Sequence, residues 1–169
     1  MTNAVPLSVL QVIPALDAGG AERTAVDVAR AVVTAGGKAW IATKGGRLQA
    51  EAEAAGAKMI LGPFDSKNPL TIWRNAKLLA DAIMTHTIDI VHARSRAPAW
   101  SAYLASRRTK ARYVATYHGI YNAKTSLKRW YNGIMARADA VIANSNFTAD
   151  HVRSQHKVAE IKLHVIPRG

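Results

Sequence analysis

Apolar positions along the chain fall into two alternating rhythms. Short runs rich in β-branched residues read as strands: SVLQVI (8–13), KAWIAT (38–43), AKMIL (57–61), DIVHA (89–93), RYVATY (112–117), AVIAN (140–144) and KLHVI (162–166). Several are apolar at consecutive positions, the pattern of parallel strands covered on both faces. Between them the spacing becomes helical. Ala21, Ala25, Val28, Ala29, Val32 and Val33 share one helical face, and Gly36-Gly37 stops that helix. LQAEAEAA ends at Gly56, and Asn68-Pro69 supplies a cap and first-turn pair for a helix carrying Trp73, Ala76, Ala80 and Ile83. Pro98 opens a helix through Trp100, Tyr103 and Leu104. Leu127, Trp130, Tyr131, Ile134 and Met135 line one face of a helix around 125–137, and Ser145 or Asn146 caps the last helix.

Strand and helix alternate about six times, which predicts an α/β fold. The expected form is an open, doubly wound, Rossmann-like sheet, mostly parallel, of about seven strands, with helices on both faces and right-handed crossovers. Residues 1–169 make a single domain in this reading. The Pro167-Arg168-Gly169 ending follows the last strand directly. It reads as the start of a connection to something further, with a natural C-terminus as the alternative.

Charge changes the picture more than composition does. The formal net charge is +12 over 169 residues. From Ile90 to Ala138 there is no Asp or Glu, while ten Lys or Arg occur: Arg94, Arg96, Arg107, Arg108, Lys110, Arg112, Lys124, Lys128, Arg129 and Arg137. Part of the fold is therefore expected to be strongly positive, suited to anionic lipid, phosphorylated ligands or nucleic acid. The chain has no cysteine, which excludes disulfides and cysteine-ligated metal and fits a reducing cytosol. No secretory signal or bilayer-spanning run is expected from the sequence given.

Four stretches fall where strands end, the edge at which doubly wound sheets bind ligands. DAGGAERT carries Gly19, Gly20 and Glu22 at the start of the first helix. Glycines there let a backbone approach a phosphate, and the helix start offers free N–H groups; an ordinary glycine turn, with Glu22 favouring the positive helix end, is the other reading. HARSRAPAW places Arg94 and Arg96 around Ser95. Arginine forks match phosphate or carboxylate, unless they are simply solvated. TYHGIYNAKTS sets Tyr117, His118 and Lys124 at and after the fifth strand, where a histidine can bond a substrate hydroxyl or exchange a proton. The other histidines, His92 among them, read as structural or surface groups. IANSNFT gives Asn144 and Ser145, able to bond a polar ligand or to cap a helix. No dinucleotide fingerprint, Walker A sequence, nucleophile elbow or metal-ligand spacing is present.

In this order, the four stretches resemble the N-terminal half of GT-B glycosyltransferases, and most closely the large retaining family 4. VIPALDAGGAERTAVDVARAV is similar to that family's first strand, Gly-Gly-x-Glu loop and first helix. DIVHARS, VATYHG and ADAVIANSNFTADHV resemble its fourth, fifth and sixth strand segments, and KLHVIPRG its crossover to a second domain. Arg168 stands where the family usually has asparagine, while Gly169 is retained. The resemblance implies transfer of a sugar from a nucleotide-sugar donor to a lipid-linked or cell-envelope glycan such as lipopolysaccharide core. It implies that Gly19, Gly20 and Glu22 lie near the donor phosphates and His118 near the transferred sugar. Arg94, Ser95, Arg96, Tyr117, Lys124, Asn144 and Ser145 become candidates for the acceptor side. No metal or other cofactor is implied, and most donor contacts would lie on a C-terminal domain absent from this sequence. The expected location is cytoplasmic, with peripheral contact to anionic lipid at the inner membrane face. A basic Rossmann-like module binding nucleic acid or another anionic surface without catalysis is the alternative.

Overall fold

The computed structural model describes residues 6–121 and 124–167. The expected alternation is realised as β1 (Ser8–Val12), α1 (Gly20–Thr34), β2 (Lys38–Thr43), α2 (Gln49–Ala54), β3 (Lys58–Leu61), α3 (Pro69–His86) and β4 (Ile90–Ala93). It continues through α4 (Arg96–Ser106), β5 (Arg112–Tyr117), α5 (Ser126–Asn132), β6 (Ala140–Ala143), α6 (Asn146–His156) and β7 (Leu163–Val165). The seven strands form one sheet in the order β3-β2-β1-β4-β5-β6-β7. Every adjacent pair is parallel. The proposed crossover residues Arg168 and Gly169 lie outside the described residues.

Because side chains alternate across a strand, each strand feeds two layers. Leu10, Val12, Trp40, Val91, Ala93, Tyr113, Ala115, Val141 and Ala143 face one side and pack under α3, α4 and α6 through residues such as Leu79, Ala102 and Val152. Ile13, Ala39 and Ile41 face the other side and pack under α1 and α2 through Ala25, Val26, Ala29 and Ala52. This second layer covers β1, β2 and β3 and does not extend past β1 toward β4. On the same face further along, Val114 and Ile142 are only half-buried and His164 is exposed. The chain changes sides between β1 and β4, which makes that point the topological switch of the sheet.

Three helix starts and one helix length show how local chemistry sets the elements. Asn68 caps α3 as expected, its Oδ1 accepting from the N–H groups of Leu70 and Thr71 at 2.9 and 3.3 Å. α4 begins at Arg96 rather than at Pro98, with Ser95 in the cap position. Pro98 is tolerated there because first-turn N–H groups have no intrahelical partner. Ser145 caps α6 by accepting from Thr148 N–H at 3.1 Å. The helix expected around 125–137 is broken in two. α5 ends at Asn132, and a single 3₁₀ turn, Met135–Arg137, follows. Gly133, a poor helix residue, starts the tightening: its N–H reaches both Arg129 and Trp130 carbonyls, and the next bonds all span three residues. The anticipated apolar face is divided accordingly. Ile134 and Met135 join the core, whereas Leu127 is 74% and Trp130 53% exposed.

Candidate active site

At the switch between β1 and β4 lies a cleft of about 550 Å³. One wall is the start of α1, contributing Gly20, Arg23, Thr24 and Asp27; the other is the strand ends, contributing His92, Arg94, Thr116, His118, Ile142 and Asn144. The missing helix cover over β4–β6 is what leaves this space. The α1 terminus has no side-chain cap, because Gly19 occupies the cap position. The first N–H to find a helical partner is that of Arg23, bonded to Gly19 O at 3.0 Å, so the N–H groups of Gly20, Ala21 and Glu22 keep no partner within the helix. Gly19 has φ −77°, which any residue can adopt. The three atoms nearest a Cβ at Gly19 all belong to the Glu22 carboxylate, the far end of a flexible side chain. Neither backbone conformation nor internal packing therefore demands glycine at this position.

Behind the helix start, Arg94 is a buried cation, 3% exposed. Its Nε donates to Gln11 Oε1 at 2.6 Å, and Gln11 Nε2 donates to Ala25 O at 2.8 Å. Gln11 thus ties β1 to α1 with one end of its amide and orients the guanidinium with the other. Next along the sheet, His92 Nε2 and Thr116 Oγ1 are 2.7 Å apart. Burial first, then repulsion from Arg94 and His118, holds the His92 proton affinity well below the usual histidine value, so this imidazole is neutral at physiological pH. His118 follows the end of β5 on the same face, close enough to His92 to contribute to that repulsion. Asn144 Nδ2 donates to His118 O at 3.1 Å, while Asn144 Oδ1 accepts from Thr148 Oγ1 at 2.8 Å. Asn144 so locks the backbone of His118 to the start of α6. The cleft is not uniformly positive: Asp27 lines it too, paired to Arg30 at 3.0 Å, and Arg23 is paired to Glu51.

The sequence-derived candidates separate into groups. Gly20, Arg94, His118 and Asn144 meet in the cleft, with Gly19 and Glu22 at its edge. Ser95 and Arg96 turn instead toward a second hollow on the α4 side. The two arginines flanking Ser95 do not act as one fork, and neither is a solvated surface group, since Arg96 is half-buried. Tyr117 is fully buried in the core, against Tyr121 and His156, and does not reach a ligand surface. Ser145 is committed as a cap, and Lys124 is exposed and lines neither cavity. Gln11, His92 and Thr116 were not anticipated. Their signal is period-two: Gln11 pairs in register with His92, and polar residues on one face of neighbouring parallel strands mark where the α1 layer over that face ends.

Among solved structures the chain is similar to a glycosyltransferase from Rickettsia africae ESF-5, at 43% identity and TM-score 0.86, covering 98% of this chain and 44% of that one. It shares its fold with Anabaena Alr3699/HepE, solved in complex with UDP and glucose, at 20% identity and TM-score 0.75 over 96% of this chain and 45% of that one. It also shares it with WaaG, a glycosyltransferase involved in lipopolysaccharide biosynthesis, at 15% identity and TM-score 0.65 over 95% of this chain and 45% of that one. The chain thus spans less than half the length of each. No match is found among curated proteins. The model of Glycosyltransferase Family 4 matches residues 18–169, so the chain belongs to that family, with the α/β fold, the glycine-capped first helix and the strand-end cleft that its sequence led us to expect.

Proposed function

We propose that this chain supplies one wall of the active site of a retaining glycosyltransferase, which moves a sugar from a nucleotide-sugar donor to a lipid-linked or cell-envelope glycan. The observation that carries the reading is the meeting of three anion- and hydroxyl-binding features in one cleft: the uncapped start of α1, the buried Arg94 and His118. When the bond between the sugar and the diphosphate breaks, negative charge grows on the departing phosphate. The free N–H groups of α1 and the Arg94 charge are fixed in advance to receive it. His118 bonds a hydroxyl of the transferred sugar, while the neutral His92 behind it adds no competing positive charge. In this reading the protein's own donors carry the charge stabilisation, and a metal cofactor has no part. The UDP-glucose bound by Alr3699/HepE and the lipopolysaccharide biosynthesis named for WaaG support the donor and acceptor classes. In this reading the protein sits peripherally at the cytoplasmic membrane face, which the basic α5 with its exposed Leu127 and Trp130 supports; among the described residues no helix is long and apolar enough to cross a membrane.

The test is a screen of UDP-, GDP- and ADP-sugars with the full-length protein, followed by His118→Ala. Turnover in the variant falls by about 10²-fold or more, with its melting temperature unchanged. Wild-type turnover in that variant removes His118 from the chemistry, and inactivity toward every nucleotide sugar removes the transfer reading.

A further inference from the structure

The second hollow, about 600 Å³, lies at the start of α4 and is lined by Ser95, Arg96, Ala97, Lys67, Lys128 and Asn132, together with Tyr121 and Tyr131. Among the described residues its lining contains three cations and no carboxylate. We infer that it is a phosphate subsite, and that it takes a phosphoryl group carried by the acceptor.

The start of α4 is open for a reason written in the sequence. Ser95 and Ser145 have the same extended backbone, φ −162° in both and ψ 161° and 162°. Ser145 accepts from the N–H three residues on, that of Thr148. The matching position after Ser95 is Pro98, which has no N–H. Ser95 therefore makes no capping bond, and the N–H groups of Arg96 and Ala97 keep no helical partner. The independent sign is Asn132, a side chain only 1% exposed. Its Oδ1 accepts from Arg96 Nη1 at 2.9 Å, which fixes which end of the amide is which. Its Nδ2 is then a buried donor with no partner among the described residues. Buried donors are almost always satisfied, so a missing acceptor is implied. The Arg96 guanidinium lies over the Tyr121 ring, its Cζ 4.1 Å from the centroid, and among the described residues no ion pair engages it. Two backbone donors, an amide donor, a fork-shaped cation and two lysines converge on one space. A phosphoryl group, with several acceptor oxygens and a negative charge, answers all of them. That the phosphate belongs to an acceptor rests on the glycosyl-transfer reading; that the hollow binds phosphate does not.

The test uses the ¹⁵N-labelled chain titrated with inorganic phosphate. The Asn132 side-chain amide and the Ala97 backbone N–H signals shift saturably. Arg96→Gln weakens this binding by about tenfold. Lys128→Gln, at an exposed position that cannot disturb the fold, weakens it in the same direction. His118→Ala, in the other cleft, leaves it unchanged. Two further probes separate the sources: glucose 1-phosphate, and vesicles of phosphatidylcholine with and without phosphatidic acid. Arg96-dependent binding to phosphatidic acid vesicles identifies a lipid phosphate. Arg96-dependent binding to glucose 1-phosphate alone identifies a soluble one. Absence of saturable shifts at Asn132 and Ala97, or binding indifferent to Arg96 and Lys128, overturns the subsite. Because the readout involves no sugar transfer, its failure is distinguishable from failure of the enzymatic reading.

Discussion

His92 is neutral where it sits, and this has a consequence for stability. Its proton affinity in the folded chain lies well below the ordinary histidine value of 6.5, and His156 is depressed as well, by burial first and then by His151 and Arg129. Above pH 6.5 both groups are neutral, folded or unfolded, and contribute nothing to pH dependence. As pH falls through that value the unfolded chain takes up protons that the folded chain refuses, so the folded state loses stability. Each such group contributes a slope of at most about 1.4 kcal/mol per pH unit. The depressed carboxylates, Glu51, Asp65 and Glu160, act in a lower window, because their stability is lost only as pH falls through their own range. We therefore expect the melting temperature to be flat between about pH 7 and pH 9 and to fall between about pH 6.5 and pH 5. In His92→Gln, which can still bond Thr116, that fall is shallower; an unchanged slope would show that His92 is not the group responsible. The same residue marks a limit of sequence reading. Arg94 and His118 were legible because each ends a strand. His92, Gln11 and Thr116 were not, because a single polar residue inside an apolar strand does not reveal which face its neighbours leave bare. Tyr117 was misplaced for the converse reason: one position from His118, it points to the opposite face.

Helix starts carry most of the chemistry at the next scale up, and their caps record what each start is kept for. Asn68 and Ser145 close α3 and α6 with their own side chains, while Gly19 leaves α1 open. Serine is a better cap than glycine, and the Gly19 backbone is compatible with it. Gly19→Ser is thus expected to raise stability by a few tenths of a kcal/mol. In the proposed site its hydroxyl would take an N–H otherwise open to a diphosphate. Affinity of the full-length protein for UDP should fall while its melting temperature holds or rises. Unchanged UDP affinity would mean that the diphosphate does not sit on α1. Element boundaries were largely readable because strand rhythm and caps are local: the strands fall within a residue of their apolar runs at each end. The helix around 125–137 was not readable as two pieces. Its apolar spacing continues through Gly133, and only the hydrogen-bond pattern shows the break.

Across the whole molecule, the acid-free stretch from Ile90 to Ala138 does not make one positive face. Arg94, Arg96 and Lys128 stand at the carboxyl ends of the strands, whereas Arg107, Lys110, Arg112 and Arg137 line a separate hollow, with Asp139, at the opening end of β5. Arg137 sits against α5, its Cζ 6.0 Å from the Trp130 ring centroid, but the Arg94 and Arg112 ends of the sheet lie about 20 Å apart, roughly two Debye lengths at 0.1 M salt. A flat anionic membrane can engage only one of them closely. The exposed Leu127 and Trp130 flank Lys128 and Arg129 on α5, which nominates the α5 side, because apolar insertion and basic attraction coincide there. Each cation close to an anionic surface is worth about 1 kcal/mol. Replacing Lys124, Lys128 and Arg129 together by Gln should then weaken binding to phosphatidylglycerol-containing vesicles on the order of a hundredfold. The matching replacement of Arg107, Arg108 and Lys110 should change it little. Co-sedimentation at low and high salt reads both, and wild-type binding should collapse at about 1 M salt, where the Debye length shrinks to about 3 Å. Equal binding to neutral and anionic vesicles, or equal losses from the two triple variants, would refute a membrane contact made through α5.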